Sequence, residues 1–231
     1  MELSPAAILF IVVTSFTLWS ALHGLQCLLL PHQTNEWNYR VVVTVHSVTM
    51  LVLGAAFELF IDPWRFPHLV SPPGQPSNSK ELATLAVCLG YFIYDSIYTL
   101  YSGKTVSMNV HHAVCVAGLC VALTSAVSGA EILFCLFLGE LTNPLLQVRF
   151  FLRAAGMTKH ILYEVNDVLF LVTFIVIRIG LGSYLLYCVL MDPVLHLFYK
   201  TGGIALHLIS VVFMGEMLTV SYKKYIQKKN V

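Results

Sequence analysis

Apolar and polar positions segregate on a long scale in this chain: extended apolar runs are divided by short polar links. The runs fall at about 5–30, 40–61, 82–101, 108–128, 130–152, 165–190 and 202–222. A helix crossing the hydrocarbon layer of a bilayer takes about 20 mostly apolar residues, and each run is long enough. The pattern predicts an all-α integral membrane protein, a bundle of seven transmembrane helices with no room for a soluble domain. The longest link, "DPWRFPHLVSPPGQPSNSK" from Asp62 to Lys80, holds five prolines and reads as irregular connection. The link between spans four and five, near Ser128–Gly129, is very tight.

Composition sharpens this reading. Of 231 residues, 58% are hydrophobic and only 11% charged, against about a quarter charged in soluble domains. A formal net charge of +1 gives no argument for nucleic acid as a partner. The six cysteines all fall in apolar runs without C-x-x-C spacing and read as small buried hydrophobes. The N-terminal run has no basic segment before it, so it reads as a retained first helix rather than a cleaved signal.

Basic residues set a direction. With the N-terminus lumenal or outside, the cytosolic ends hold Arg40, Lys104, Arg149, Arg153, Lys159, Lys223, Lys224, Lys228 and Lys229. Arg65, Lys80 and Lys200 lie on the other side, and Arg178 lies within span six. The C-terminus is then cytosolic. Its closing "KKNV" matches a di-lysine retrieval signal, an address read by coat proteins, and predicts residence in the endoplasmic reticulum.

Ionisable groups inside a membrane are expensive, so each is a functional hypothesis. At about 1.5 Å per residue from the cytosolic end, His111 and His112 lie about 5 Å deep, and His46, Asp95 and Glu216 about 9 Å. Asn143 comes at about 13 Å, Glu140 at about 18 Å and Arg178 near 20 Å. Glu140, Asn143 and Gln147 share one helix face, as do Tyr91, Asp95 and Tyr98. His111 shares a face with Cys115, whereas His112 points about 100° away. Singly, His23 or His46 reads as interhelical glue. Together the groups predict a polar chamber opening toward the cytosol.

A histidine beside a carboxylate can act as general base for a hydroxyl or amine, or accept an acyl group itself. The candidate catalytic residues are His111, His112, Asp95 and Glu140, with Asp95 or Glu140 fixing the tautomer. Asn143 or Arg149 would donate to an oxyanion. These two, with Tyr91, Tyr98 and His46, are the candidate substrate-binding residues. No metal ligands are assigned, because adjacent histidines on one helix rarely hold one ion and no spacing requires it. A seven-helix receptor is suggested by helix count alone, and transport through Arg178 and His207 stays open.

The stretches "LGYFIYDSIYTLYSG", "MNVHHAVCVAGL" and "LFLGELTNPLLQVRFFLRAAG" together resemble the TLC-domain family, which includes ceramide synthases. The resemblance runs from about Pro31 to Lys224. It divides the chain into a first transmembrane helix (1–30), a TLC domain (31–224) and a cytosolic basic tail (225–231). It implies six or seven helices around a lipid-accommodating cavity, with membrane lipids as partners and homo- or hetero-oligomers open. In ceramide synthases the histidine pair belongs to the catalytic motif for N-acylation of a sphingoid base, and His111 and His112 occupy the matching positions. The His-Asp-x-x-Asp sequence that follows there is replaced here by "LGELTN", where Glu140 is the one acid. The implied function is a lipid acyltransferase acting on a sphingoid base or lysophospholipid, with no cofactor and acyl-CoA as candidate co-substrate. The alternative is a non-catalytic lipid-binding protein or regulator of membrane lipid composition.

Overall fold

The computed structural model describes residues 3–56, 74–193 and 195–225. The link's prolines Pro63, Pro67, Pro72 and Pro73, the end of span two at 57–61, Arg65 and the terminal lysine pair lie outside the described residues. The described chain is helical throughout: α1 (Pro5–Leu29), α2 (Asn35–Ala56), α3 (Ser79–Tyr101), α4 (Val106–Ser125), α5 (Gly129–Glu140) and α6 (Asn143–Ala154). Then come α7 (Ile161–Phe174), a π-helical turn (Ile175–Leu181), α8 (Gly182–Met191) and α9 (Leu197–Tyr225). Taken as continuous spans these give seven helices long and apolar enough to cross a membrane.

Local chemistry explains where the helices begin. The Ser4 hydroxyl accepts from the Ala7 N–H at 3.2 Å, with Pro5 at the first helical position. Asn78 and Glu81 form a reciprocal capping box that starts α3. Thr34 accepts from the Trp37 N–H at 3.1 Å, so α2 starts at Asn35 rather than near residue 40. Those extra residues carry Glu36, Asn38 and Tyr39 into the helix, and Tyr39 proves central to the site.

Two spans predicted as regular helices are interrupted. Span five breaks at Leu141–Thr142, where Pro144 has no N–H to donate to the Glu140 carbonyl four residues back. Span six is wound wider between Ile175 and Leu181, the stretch that carries Arg178. The tight α4–α5 link is present as expected. Ala126 and Ser128 there adopt left-handed backbone (φ 52° and 62°), and the segment exchanges backbone hydrogen bonds with Gln75 and Ser77 at 2.9 and 2.8 Å. Gly129 closes it because a Cβ would lie 2.7 Å from Glu81 Oε2 and Ser77 Oγ.

α3 is the central helix, packed most extensively against α1 and α4. Gly90 sets its distance from α1: a Cβ there would sit 2.6 Å from the Val12 carbonyl oxygen and from Ser15 Cβ. The close approach lets Ser15 Oγ donate to the Val87 carbonyl at 2.7 Å, while Trp19 Nε1 donates to Ser15 Oγ at 3.1 Å. Interhelical bonds of this kind contribute about 0.6–2 kcal/mol each in membranes. The outer faces stay apolar, as on α1 with Leu9, Phe10, Val13, Leu18 and Leu25 exposed. A face of this kind suits hydrocarbon and would be untenable in water. Cys120 and Cys135 also lie on such outer faces, so not every cysteine is a core residue.

Candidate functional site

The polar centre is built outward from α3. Asp95 is buried, and its two oxygens have different partners. Tyr39 on α2 donates its hydroxyl to Oδ1 at 2.5 Å, and His112 Nε2 on α4 lies 3.2 Å from Oδ2. The other ring nitrogen of His112 lies 3.2 Å from Thr99 Oγ1, one helical turn beyond Asp95 on the same face. Thr99 in turn donates to the Ser96 carbonyl at 3.1 Å. A buried carboxylate and a hydroxyl on α3 thus grip one imidazole from α4, with a tyrosine from α2 behind the carboxylate. This fixes the ring plane and sets His112 Nε2 against Asp95 Oδ2.

Of the two candidate acids, then, Asp95 meets His112. Glu140 lies nearest a different ring: its Oε1 is 3.9 Å from His46 Nε2, too long for a hydrogen bond. His46 is stacked on Tyr91 (3.4 Å between centroids, 4° between planes) with Trp19 edge-on at 5.4 Å. Neither of its nitrogens has a hydrogen-bond partner among the described residues. It holds helices together by ring contact, unlike His23, which bridges Tyr94 and Asn35 at 3.0 Å each. The mutual-glue expectation fits His23 in full.

His111 diverges from its neighbour, as the helical geometry predicts. Its ring centroid is 5.5 Å from that of His112, its Nε2 is 3.8 Å from Cys115 Sγ, and Phe213 of α9 packs against it at 6.1 Å. Its Nδ1 is buried without a partner. The histidines therefore serve two different environments and do not converge on one atom.

The predicted oxyanion donors are already engaged. Asn143 Nδ2 donates to Glu140 Oε2 at 2.7 Å across the helix break, and Gln147 lies one turn on, its oxygen 3.4 Å from Arg40 Nη1. Arg149 Nε sits 2.6 Å from Asp167 Oδ1, a charge contact without hydrogen-bond alignment, which ties α6 to α7. Tyr98 stacks on Tyr39 (3.7 Å, 7°) and meets His23 edge-on. Its ring buttresses the Asp95 network. Glu216, expected in the chamber, is exposed on α9 and takes a 3.5 Å contact from Ser107. Among the described residues no three His, Cys, Asp or Glu side chains gather as a metal-holding group.

Tyr39, Thr99 and Arg178 belong to the polar centre and were not among the candidates. Thr99 had a signal, its i+4 spacing from Asp95. Tyr39 had none, because the apolar run begins after it. Arg178 was visible as a lone cation inside a span. Its Nη2 donates to the Gly139 carbonyl at 2.5 Å, at the break in span five.

Comparison with known proteins agrees with the helical fold. The model of the TLC domain matches residues 36–221. The chain is 28% identical over 159 residues to TLC domain-containing protein 1 of Gallus gallus, covering 67% of this chain and 60% of that protein. It is 25% identical over 160 residues to the Homo sapiens protein of the same name, covering 67% and 62%. TLC domain-containing protein 2 of Danio rerio is 26% identical over 207 residues, covering 82% and 78%. The chain thus spans about 60% of the length of the chicken and human relatives it matches. It belongs to the TLC-domain family, linked to membrane lipid biology, and is a multi-pass membrane protein of that family.

Proposed function

We propose that this protein transfers an acyl chain to a bilayer-borne amine or hydroxyl, such as a sphingoid base or lysophospholipid, at the polar centre of its bundle. The observation that carries this reading is the Asp95–His112 contact at 3.2 Å with Tyr39 behind it. A carboxylate that fixes an imidazole and stabilises its charged form is the orienting half of a catalytic triad. Nδ1 is the nitrogen that would take the proton from the nucleophile. Thr99 now stands beside it; its single hydroxyl proton can go to Nδ1 or to the Ser96 carbonyl, so it can yield its place at Nδ1 to a substrate and still donate to Ser96. The proton taken from the nucleophile as it attacks the acyl carbonyl would return to the leaving group, such as the thiolate of acyl-CoA.

A specific observation also favours the non-catalytic alternative. Asp95, His112, Asn143 and Arg149 all have partners inside the bundle, as interhelical glue would. One experiment separates the readings. Cells lacking the protein are rescued with wild type or His112→Ala at matched expression and their lipids profiled, and the purified proteins are then assayed for acyl transfer to the lipid class that changes. Acyl transfer expects rescue by wild type alone and product formation abolished in the variant. Equal rescue by both, with no product from either, overturns it in favour of lipid binding.

A further inference from the structure

Arg178 is a charge set within a span that no ion pair among the described residues accounts for. Arg40 and Lys104 share Glu36, at 2.8 and 2.5 Å, and Arg149 faces Asp167. Arg178 lies inside an apolar span on the π-helical turn, and among the described residues no carboxylate comes within ion-pairing distance of it. Of its five N–H donors one bonds the Gly139 carbonyl, while Nε is buried without a partner. Glu140, the acid next in sequence to its Gly139 partner, is held by Asn143 and turned toward His46. A guanidinium in hydrocarbon without a counter-charge is unfavourable, and such groups mark binding sites and pathways.

A second observation points the same way. His111 Nδ1 on α4 is also buried without a partner, and α9 packs against both α4 and the π-helical turn that carries Arg178. Two groups able to donate are therefore left with unsatisfied nitrogens, the cation Arg178 beside the break in span five and His111 on α4. The Gly139 bond holds the guanidinium fork in place. That break exists because Pro144 cannot complete the helix.

We propose that Arg178 and His111 form a binding site for the oxyanion of a lipid, the carboxylate of a fatty acid or the phosphate of a lysophospholipid. The oxyanion supplies the missing charge and accepts from Arg178 Nε and His111 Nδ1, while its chain runs into the apolar bundle. Charge-assisted bonds to a planar fork suit carboxylate and phosphate alike, which is why arginine rather than lysine stands here. The site is separate from the His112–Asp95 pair and stands whether or not that pair performs acyl transfer, so binding alone tests it.

The full chain is purified in a non-ionic detergent, and binding of radiolabelled oleate and of oleoyl-lysophosphatidate is measured, with uncharged monoolein as competitor. Saturable binding of either anion that monoolein does not displace is expected, and the tighter of the two identifies carboxylate or phosphate as the group held. Arg178→Gln lowers anion affinity at least tenfold and Arg178→Lys recovers part of it. Displacement by monoolein as effective as by unlabelled oleate, or wild-type anion affinity in Arg178→Gln, overturns the proposal, as does binding of neither anion to wild type. Should Arg178→Gln fail to fold, His111→Leu carries the test. A several-fold loss of anion affinity supports the site, and unchanged affinity overturns it.

Discussion

The polar groups between α2, α3 and α4 and those around the breaks in spans five and six are built on opposite principles. Tyr39, Asp95, His112 and Thr99 sit on unbroken helices, and each functional atom in the series meets another. Around Glu140 and Arg178 the helices are interrupted, and His46, His111 and Arg178 keep nitrogens without partners. Buried polar atoms lacking partners are costly, and a folded protein that retains several in one region keeps them for something else to satisfy. The first region is a closed network that positions a side chain. The second is an open one, shaped to receive a ligand.

The largest expected effect tests closure. Asp95→Ala strands the Tyr39 hydroxyl and the His112 ring at once, and breaking a buried pair in this way costs about 3–5 kcal/mol. Thermal unfolding in detergent would register it, and a stability close to wild type would show that the network is not closed. Gly90→Val comes next. Its side chain would drive into the Val12 carbonyl, at an overpacking cost of about 1–3 kcal/mol, visible in the same assay and as loss of the α1–α3 cross-link in a cysteine pair placed at Ser15 and Val87. Thr99→Val removes one neutral hydrogen bond from His112, for about 0.5–1.5 kcal/mol, and acyl transfer should survive it if Nδ1 accepts the substrate proton. Loss of activity without loss of stability would instead give Thr99 a direct part in the reaction.

The open region predicts the smallest change in stability. His46→Phe keeps the stack on Tyr91 and removes nitrogens that bond nothing, so unfolding should shift by less than about 1.5 kcal/mol, toward the low end for want of any bond lost. A much larger loss would place His46 in a network like that of His112. Unchanged stability joined to weakened lipid binding would confirm the contrast between the two regions.

Much of the closed region was legible in the sequence. Asp95 and the histidine pair were visible as expensive polar residues in apolar runs, and helical geometry predicted that His111 and His112 diverge. Glu140 and Asn143 do share a face and bond each other. What could not be read was partnership. Glu140 bonds Asn143 and lies nearest His46 rather than His112, and Arg149 pairs with Asp167, because those choices depend on which helices are neighbours and how far each is rotated. Tyr39 escaped notice because a hydropathy run ends where side chains turn polar, whereas a helix ends where its caps are, and Thr34 caps α2 well before the run begins.

By itself the sequence determined the class of the protein, the number of its spans and the cost of every polar group within them. Those follow from local properties: apolar length against bilayer thickness, and the price of burying a charge. The tertiary structure alone decided which polar groups satisfy one another and which are left open. Hydrogen bonds across helices act over about 3 Å and depend on crossing distance, on the close approach at Gly90 and on the breaks at Leu141–Thr142 and Ile175–Leu181. No pattern along a single helix specifies those contacts, and they separate a fixed imidazole at His112 from an unpaired guanidinium at Arg178.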